Sequence, residues 1–279
     1  MLTSPTGRTP TERVELPGTL PERSPARPAS VIGGFGEPRS PRHFAEQDRA
    51  VAQQRLISLE RRRPALVTAG LAALLTAMLA VLLHGNRDTS VDHWITYWIS
   101  FRLPSPWVRQ ALLTASEPAL VAGVLGLLTV GALLRRAWNV AAFAVLGPAL
   151  AELVAELALK PLVHRERGGG SWAAAYTFPS GHETGVAALG TVLAVLTLRM
   201  WWHVVSEIAI VAALGLWVLA GAVGLIRADL HYPSDTIGGA GVAVALVLAT
   251  AVAIDALTDR RRATSDNRAR SMPKRVAEP

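Results

Sequence analysis

The sequence predicts an all-α fold, a polytopic membrane helical bundle with six transmembrane helices. Two observations carry this. Six apolar stretches follow one another between residues 64 and 257, each near the ~20 residues with which a helix crosses a ~30 Å hydrocarbon core. None of them alternates with period two, as a barrel wall would, and in lipid only a closed barrel or a helix satisfies its own backbone. The composition agrees: 51% of the 279 residues are hydrophobic, and the mean hydropathy is +0.31.

Residues 1–60 are rich in Pro, Arg, Ser and Glu and carry no periodicity. Too little apolar surface is available there to offset chain entropy, so they are expected to form a disordered cytoplasmic tail. Their start has no apolar core of a cleaved signal peptide. The membrane domain is expected over residues 61–258. Its spans are Pro64–Leu83, Pro118–Leu134, Ala137–Leu159, Thr184–Met200, Val204–Ile226 and Thr236–Leu257. Between the first two, Ser90–Phe101 carries Trp94, Tyr97 and Trp98 and reads as an amphipathic helix lying in the membrane interface. Small-residue runs at Gly221–Gly224 and Gly238–Gly241 let helices approach closely. Residues 259–279 are expected as a basic cytoplasmic tail.

The charge pattern sets orientation and excludes several classes. Net charge is +7, but the arginines flank apolar segments and do not interleave with aromatics in one patch. Nucleic acid is therefore not expected as a partner. Arg61 to Arg63, Arg135, Arg136, Arg199 and Arg260 to Arg262 all fall on one side of a six-span chain. That side is the cytoplasmic one by the positive-inside rule, so both termini are expected inside, in a multi-pass plasma-membrane protein. Cysteine is absent, which excludes disulfides, thiol nucleophiles and cysteine metal sites. No Gly-rich nucleotide loop occurs, and no pair of histidines has metal-ligand spacing on a helix.

Three polar clusters interrupt the apolar chain: Lys160 to Arg167, Phe178 to His182, and His231 to Asp235. In the six-span arrangement all three face outside. Ser180 is a good N-cap for the fourth span, and the start of a helix is a ready anion site. Gly181 lets the backbone come close to a ligand. The Ser180 hydroxyl and the Gly181 and His182 amides can donate to phosphate oxygens, and His182 can protonate a leaving oxygen. Four residues separate His231 from Asp235, so the carboxylate can orient the imidazole and leave its other nitrogen to attack phosphorus. Lys160 is one of two lysines in a chain that otherwise uses arginine. With Arg167 it would hold a phosphate from two sides. Glu152, Glu156 and Lys160 share one helix face, which suits an ion pair between Glu156 and Lys160 or a proton path.

Together the clusters resemble the signature of the type 2 phosphatidic acid phosphatase family. Its pattern is Lys, six residues, Arg-Pro; then Pro-Ser-Gly-His; then Ser-Arg, five residues, His, three residues, Asp. Here Lys160 and Arg167, Pro179 to His182, and His231 with Asp235 match in order and spacing. Gly168 follows Arg167 where the pattern has Pro, and Gly224 and Leu225 stand in place of Ser-Arg. The resemblance covers roughly residues 61–258. It implies a metal-independent phosphatase without cofactor, acting on a lipid phosphate or diphosphate at the outer membrane face. In it His231 is the nucleophile, Asp235 its orienting partner and His182 the general acid and later base. Lys160, Arg167, Ser180 and Gly181 form the phosphate clamp. Arg227, four residues before His231, is the candidate to replace the arginine missing at Leu225. Two other outcomes of the same pattern stay open: a lipid phosphotransferase with an acceptor other than water, and an inactive lipid-binding relative.

Overall fold

The structure is a computed structural model, and it describes residues 55–85, 89–102, 105–166, 176–199 and 204–271. Among them every regular element is helical. The order is α1 (Leu59–Leu83), α2 (Ser90–Arg102), α3 (Pro106–Ala115), α4 (Pro118–Leu134) and α5 (Trp138–Val154). A π-helical stretch (Ala155–Leu159) then leads into α6 (Lys160–Val163), followed by α7 (Gly181–Arg199), α8 (Val204–Arg227) and α9 (Pro233–Ser271). Six segments are long and apolar enough to cross a membrane, namely Leu59–Leu83, Pro106–Leu134, Trp138–Val163, Gly181–Arg199, Ser206–Arg227 and Pro233–Ser265. The all-α, six-span expectation is borne out.

Several boundaries move, and the last helix runs on to Ser271, past the expected end of the sixth span at Leu257. The second span starts at Pro106, twelve residues before the expected Pro118, and is jointed at Ser116 and Glu117. Arg109 and Gln110 lower the hydropathy of its first half, which hid it in the sequence. At the other edge, Leu56 and Ile57 were grouped with the polar leader, yet both are buried in the main core cluster. Their backbone amides donate to the two oxygens of Asp255, each at 2.9 Å. A short apolar pair gives no periodic signal, and its partner lies almost 200 residues away.

Helix α9 is central. It packs against α1, α5 and α7, and Phe143, Ala188, Val192, Ala243, Val247 and Ala251 meet in the core between α5, α7 and α9. Half of the apolar stretch of α7 and of α9 is buried, against 22% for α1 and 11% for the second span. The sparsely buried helices offer their apolar sides to lipid. At one end of the bundle Arg61 donates to Leu198 O and to both oxygens of Glu207, while Arg55 and Arg62 pair with Asp259. The three polar clusters lie at the other end.

Close approach of α7 and α9 depends on Gly239. A Cβ there would lie 2.5 Å from Ser180 O and 3.0 Å from Thr184 Oγ1, and Thr184 Oγ1 itself donates to Ser180 O at 2.8 Å. Gly239→Ala should therefore lower stability by about 1–3 kcal/mol, as overpacking does. It should also lower activity, because the displaced backbone carries Ser180. Thermal unfolding in detergent beside the wild type checks the first effect.

Candidate active site

The first turn of α7 carries the second cluster. Ser180 is fully buried, and its Oγ accepts the Glu183 amide at 3.3 Å, the bond expected of an N-cap. The Ser180 amide donates to Asp235 O at 3.0 Å, so the second and third clusters are tied backbone to backbone. Gly181 faces α5 and the π-helical stretch so closely that a Cβ would collide with the Glu156 carboxylate. His182 follows, exposed, on the next position of the helix.

Lys160 opens α6 and donates to Glu156 Oε1 at 2.6 Å, so the ion-pair reading of this helix face holds. Glu152, Glu156 and Lys160 are four apart and so lie on one side of this helical run. Glu152 and Glu156 thus both face α7, next to Gly185 and Gly181. Arg167 lies outside the described residues.

The third cluster starts α9. Pro233 takes the first helical position and Asp235 lies in the first turn. Asp235 is 0% exposed and His231 is largely buried. The ring centroids of His231 and His182 are 6.5 Å apart, so the two predicted catalytic imidazoles do share one site. Asp235 sits behind His231 rather than on it. His231 Nδ1 is 3.7 Å from Asp235 Oδ2, beyond a hydrogen bond, and Oδ2 instead accepts the Tyr232 amide at 3.0 Å. Arg227 ends α8, half-buried, and Leu225 is 1% exposed.

The residues that hold Asp235 were not singled out in the sequence. Arg165, 0% exposed, donates from Nη1 to Asp235 Oδ1 and Ser234 Oγ, both at 2.6 Å, and from Nη2 to Asp92 Oδ2 at 2.8 Å. Asp92 in turn accepts the Ser234 amide at 2.9 Å and the Ser234 hydroxyl at 2.7 Å. Burial works against the charge on Asp92, but Ser234 and Arg165 outweigh it and hold its pKa below the ordinary value. Burial likewise opposes the Arg165 charge, and Asp235 and Asp92 together raise its pKa nonetheless. Only one sequence signal pointed here: Asp92 is an acid among the aromatics of the expected interfacial helix. Among the described residues no three His, Asp or Glu side chains cluster as metal ligands.

Comparison with known proteins bears on the fold and on the stretch that carries these clusters. Residues 155–259 match the model of the PAP2 superfamily. No curated protein matches the sequence significantly. Among solved structures, the fold is similar to that of a transmembrane PAP2-type phosphatidylglycerolphosphate phosphatase from Bacillus subtilis, with a TM-score of 0.56 and 16% identity over 67% of this chain and 96% of that one. At that identity the likeness speaks to the fold. The second and third clusters and Lys160 all lie within the stretch that is similar to the PAP2 superfamily, the family that the clusters resemble.

Proposed function

We propose that this chain is an integral membrane phosphatase that removes phosphate from a lipid phosphate or lipid diphosphate through a phosphohistidine on His231. The observation that carries this reading is the pairing of His231 and His182, 6.5 Å apart, with Asp235 behind the former. A reacting phosphorus sits ~3–3.5 Å from its nucleophile, and the leaving oxygen sits within ~3 Å of its proton donor. Two facing imidazoles at this separation fit such a group between them.

In the first step the His231 nitrogen remote from Asp235 attacks phosphorus. The P–N bond forms, the bond to the lipid oxygen breaks, and His182 gives its proton to that oxygen. In the second step His182 takes a proton from water, the water oxygen attacks phosphorus, and the P–N bond breaks to release inorganic phosphate. The Lys160 ammonium and the Gly181 amide at the start of α7 are the donors for the phosphate oxygens, with Arg167 and Arg227 as the further cations of the clamp, while the buried Ser180 caps α7 behind them. Cationic and amide donors neutralise the phosphate, so the chemistry does not call for a metal. The arginine asymmetry supports an outer active site with both termini in the cytoplasm of a plasma-membrane protein.

Phosphate release by the purified protein in detergent, across a panel of lipid phosphates, should be unaffected by EDTA. It should fall by at least about 10³-fold in His231→Ala, which removes the nucleophile. Turnover in that variant near the wild-type rate would refute the mechanism. Recovery of the phosphoryl group on an added alcohol, with none on water, would make the enzyme a transferase.

Orientation is read separately. His84→Cys, at the exposed outer end of α1, should react with a membrane-impermeant thiol reagent on whole cells, and Ala263→Cys in α9 should not. The opposite pattern would invert the protein in its membrane.

A further inference from the structure

We propose that Asp92 and Arg165 are positioning residues of this reaction, a buried strut that holds Asp235, and through it His231, from outside the three clusters. This rests on the reading of His231 as the nucleophile.

Both oxygens of Asp235 are engaged. Oδ1 accepts from Arg165 Nη1 at 2.6 Å and Oδ2 accepts the Tyr232 amide at 3.0 Å. The carboxylate plane is therefore set, with Oδ2 turned toward His231 Nδ1 at 3.7 Å. Arg165 is itself fixed at three points. Its guanidinium donates to Asp92 and Ser234, its carbonyl accepts the Thr177 amide at 2.8 Å, and its guanidinium carbon lies 4.6 Å from the centroid of the Tyr232 ring. Asp92 reaches it from α2, and His93 next to it packs edge-on against the same Tyr232 ring at 5.7 Å.

Burial decides between a strut and a phosphate contact. A guanidinium that clamps a substrate phosphate must present donors to the site, and Arg165 is 0% exposed with its two carboxylates already in place. Stability does not account for the arrangement either. Three buried charges are commonly replaceable by well-packed apolar residues with little loss, because their desolvation offsets their attraction. What the network supplies that an apolar core cannot is a fixed direction for one carboxylate.

The test measures kcat and KM of the full-length protein in detergent, on the most active lipid phosphate of the panel, with thermal unfolding alongside. Arg165→Met should lower kcat about 10²-fold, the usual effect of misplacing a reacting group by about 1 Å. Asp92→Asn, which keeps the shape and removes the charge, should also lower kcat, and Arg165→Lys should recover part of the loss by serving one carboxylate. KM should stay within about twofold in all three, since uniform substrate binding is untouched. Phosphohistidine formation from labelled substrate should slow in step with kcat. A raised KM with kcat intact would make Arg165 a phosphate contact and overturn the strut. Wild-type kcat with a lowered unfolding temperature would make the network merely structural and overturn it too. Should Arg165→Met fail to fold, Asp92→Asn and Arg165→Lys carry the same reading. If His231→Ala turns over normally, both the nucleophile and the strut fall. If His231→Ala is inactive while Asp92→Asn is fully active, the strut alone falls.

Discussion

A guanidinium buried between two carboxylates organises the end of this bundle that carries the polar clusters. Arg165 comes from the loop after α6, Asp92 from the interfacial helix α2, and Ser234 and Asp235 from the start of α9. These segments are far apart in sequence. Removing a single member would leave an uncompensated buried charge, which in proteins costs about 3–5 kcal/mol. Loops at a membrane surface have little apolar area to hold them in place. Charges enclosed among themselves supply the rigidity that packing supplies in the helices below.

The helices contribute position. Small residues bring α7 and α9 within reach of each other, which sets the start of α7 against the start of α9 and joins them through the Ser180 amide and the Asp235 carbonyl. Glu152 of α5 and Glu156 of the π-helical stretch face the same start of α7, and Lys160 pairs with Glu156. Each device is local, but all converge on the mouth where the two imidazoles meet.

Much of this was legible in the sequence, for physical reasons that differ by level. The spans were readable because lipid demands long apolar helices, and the second was trimmed only where Arg109 and Gln110 dilute it. His182, His231 and Asp235 were singled out because they fall at helix starts in the order and spacing of the family pattern they resemble, and the structure brings the two imidazoles to 6.5 Å of each other. The partner of Asp235 was not singled out. The four-residue spacing pointed to His231, whereas the carboxylate is held by Arg165, which lies between two other charged or polar residues and two positions from the expected Arg167. Such long-range pairs between loops leave no periodicity, and neither does the burial of Leu56 and Ile57.

That last pair has a consequence for how the chain is made. The amides of Leu56 and Ile57 find their acceptor on Asp255, 199 and 198 residues away, and α1 packs chiefly on α9, the last helix. A membrane protein threads its helices into the bilayer in order of synthesis. Helix α1 therefore waits in lipid, without its main neighbour, until the sixth span has emerged. The apolar stretch after Arg63 suits that interval, and the clasp on Asp255 can close only once the last helix is in place.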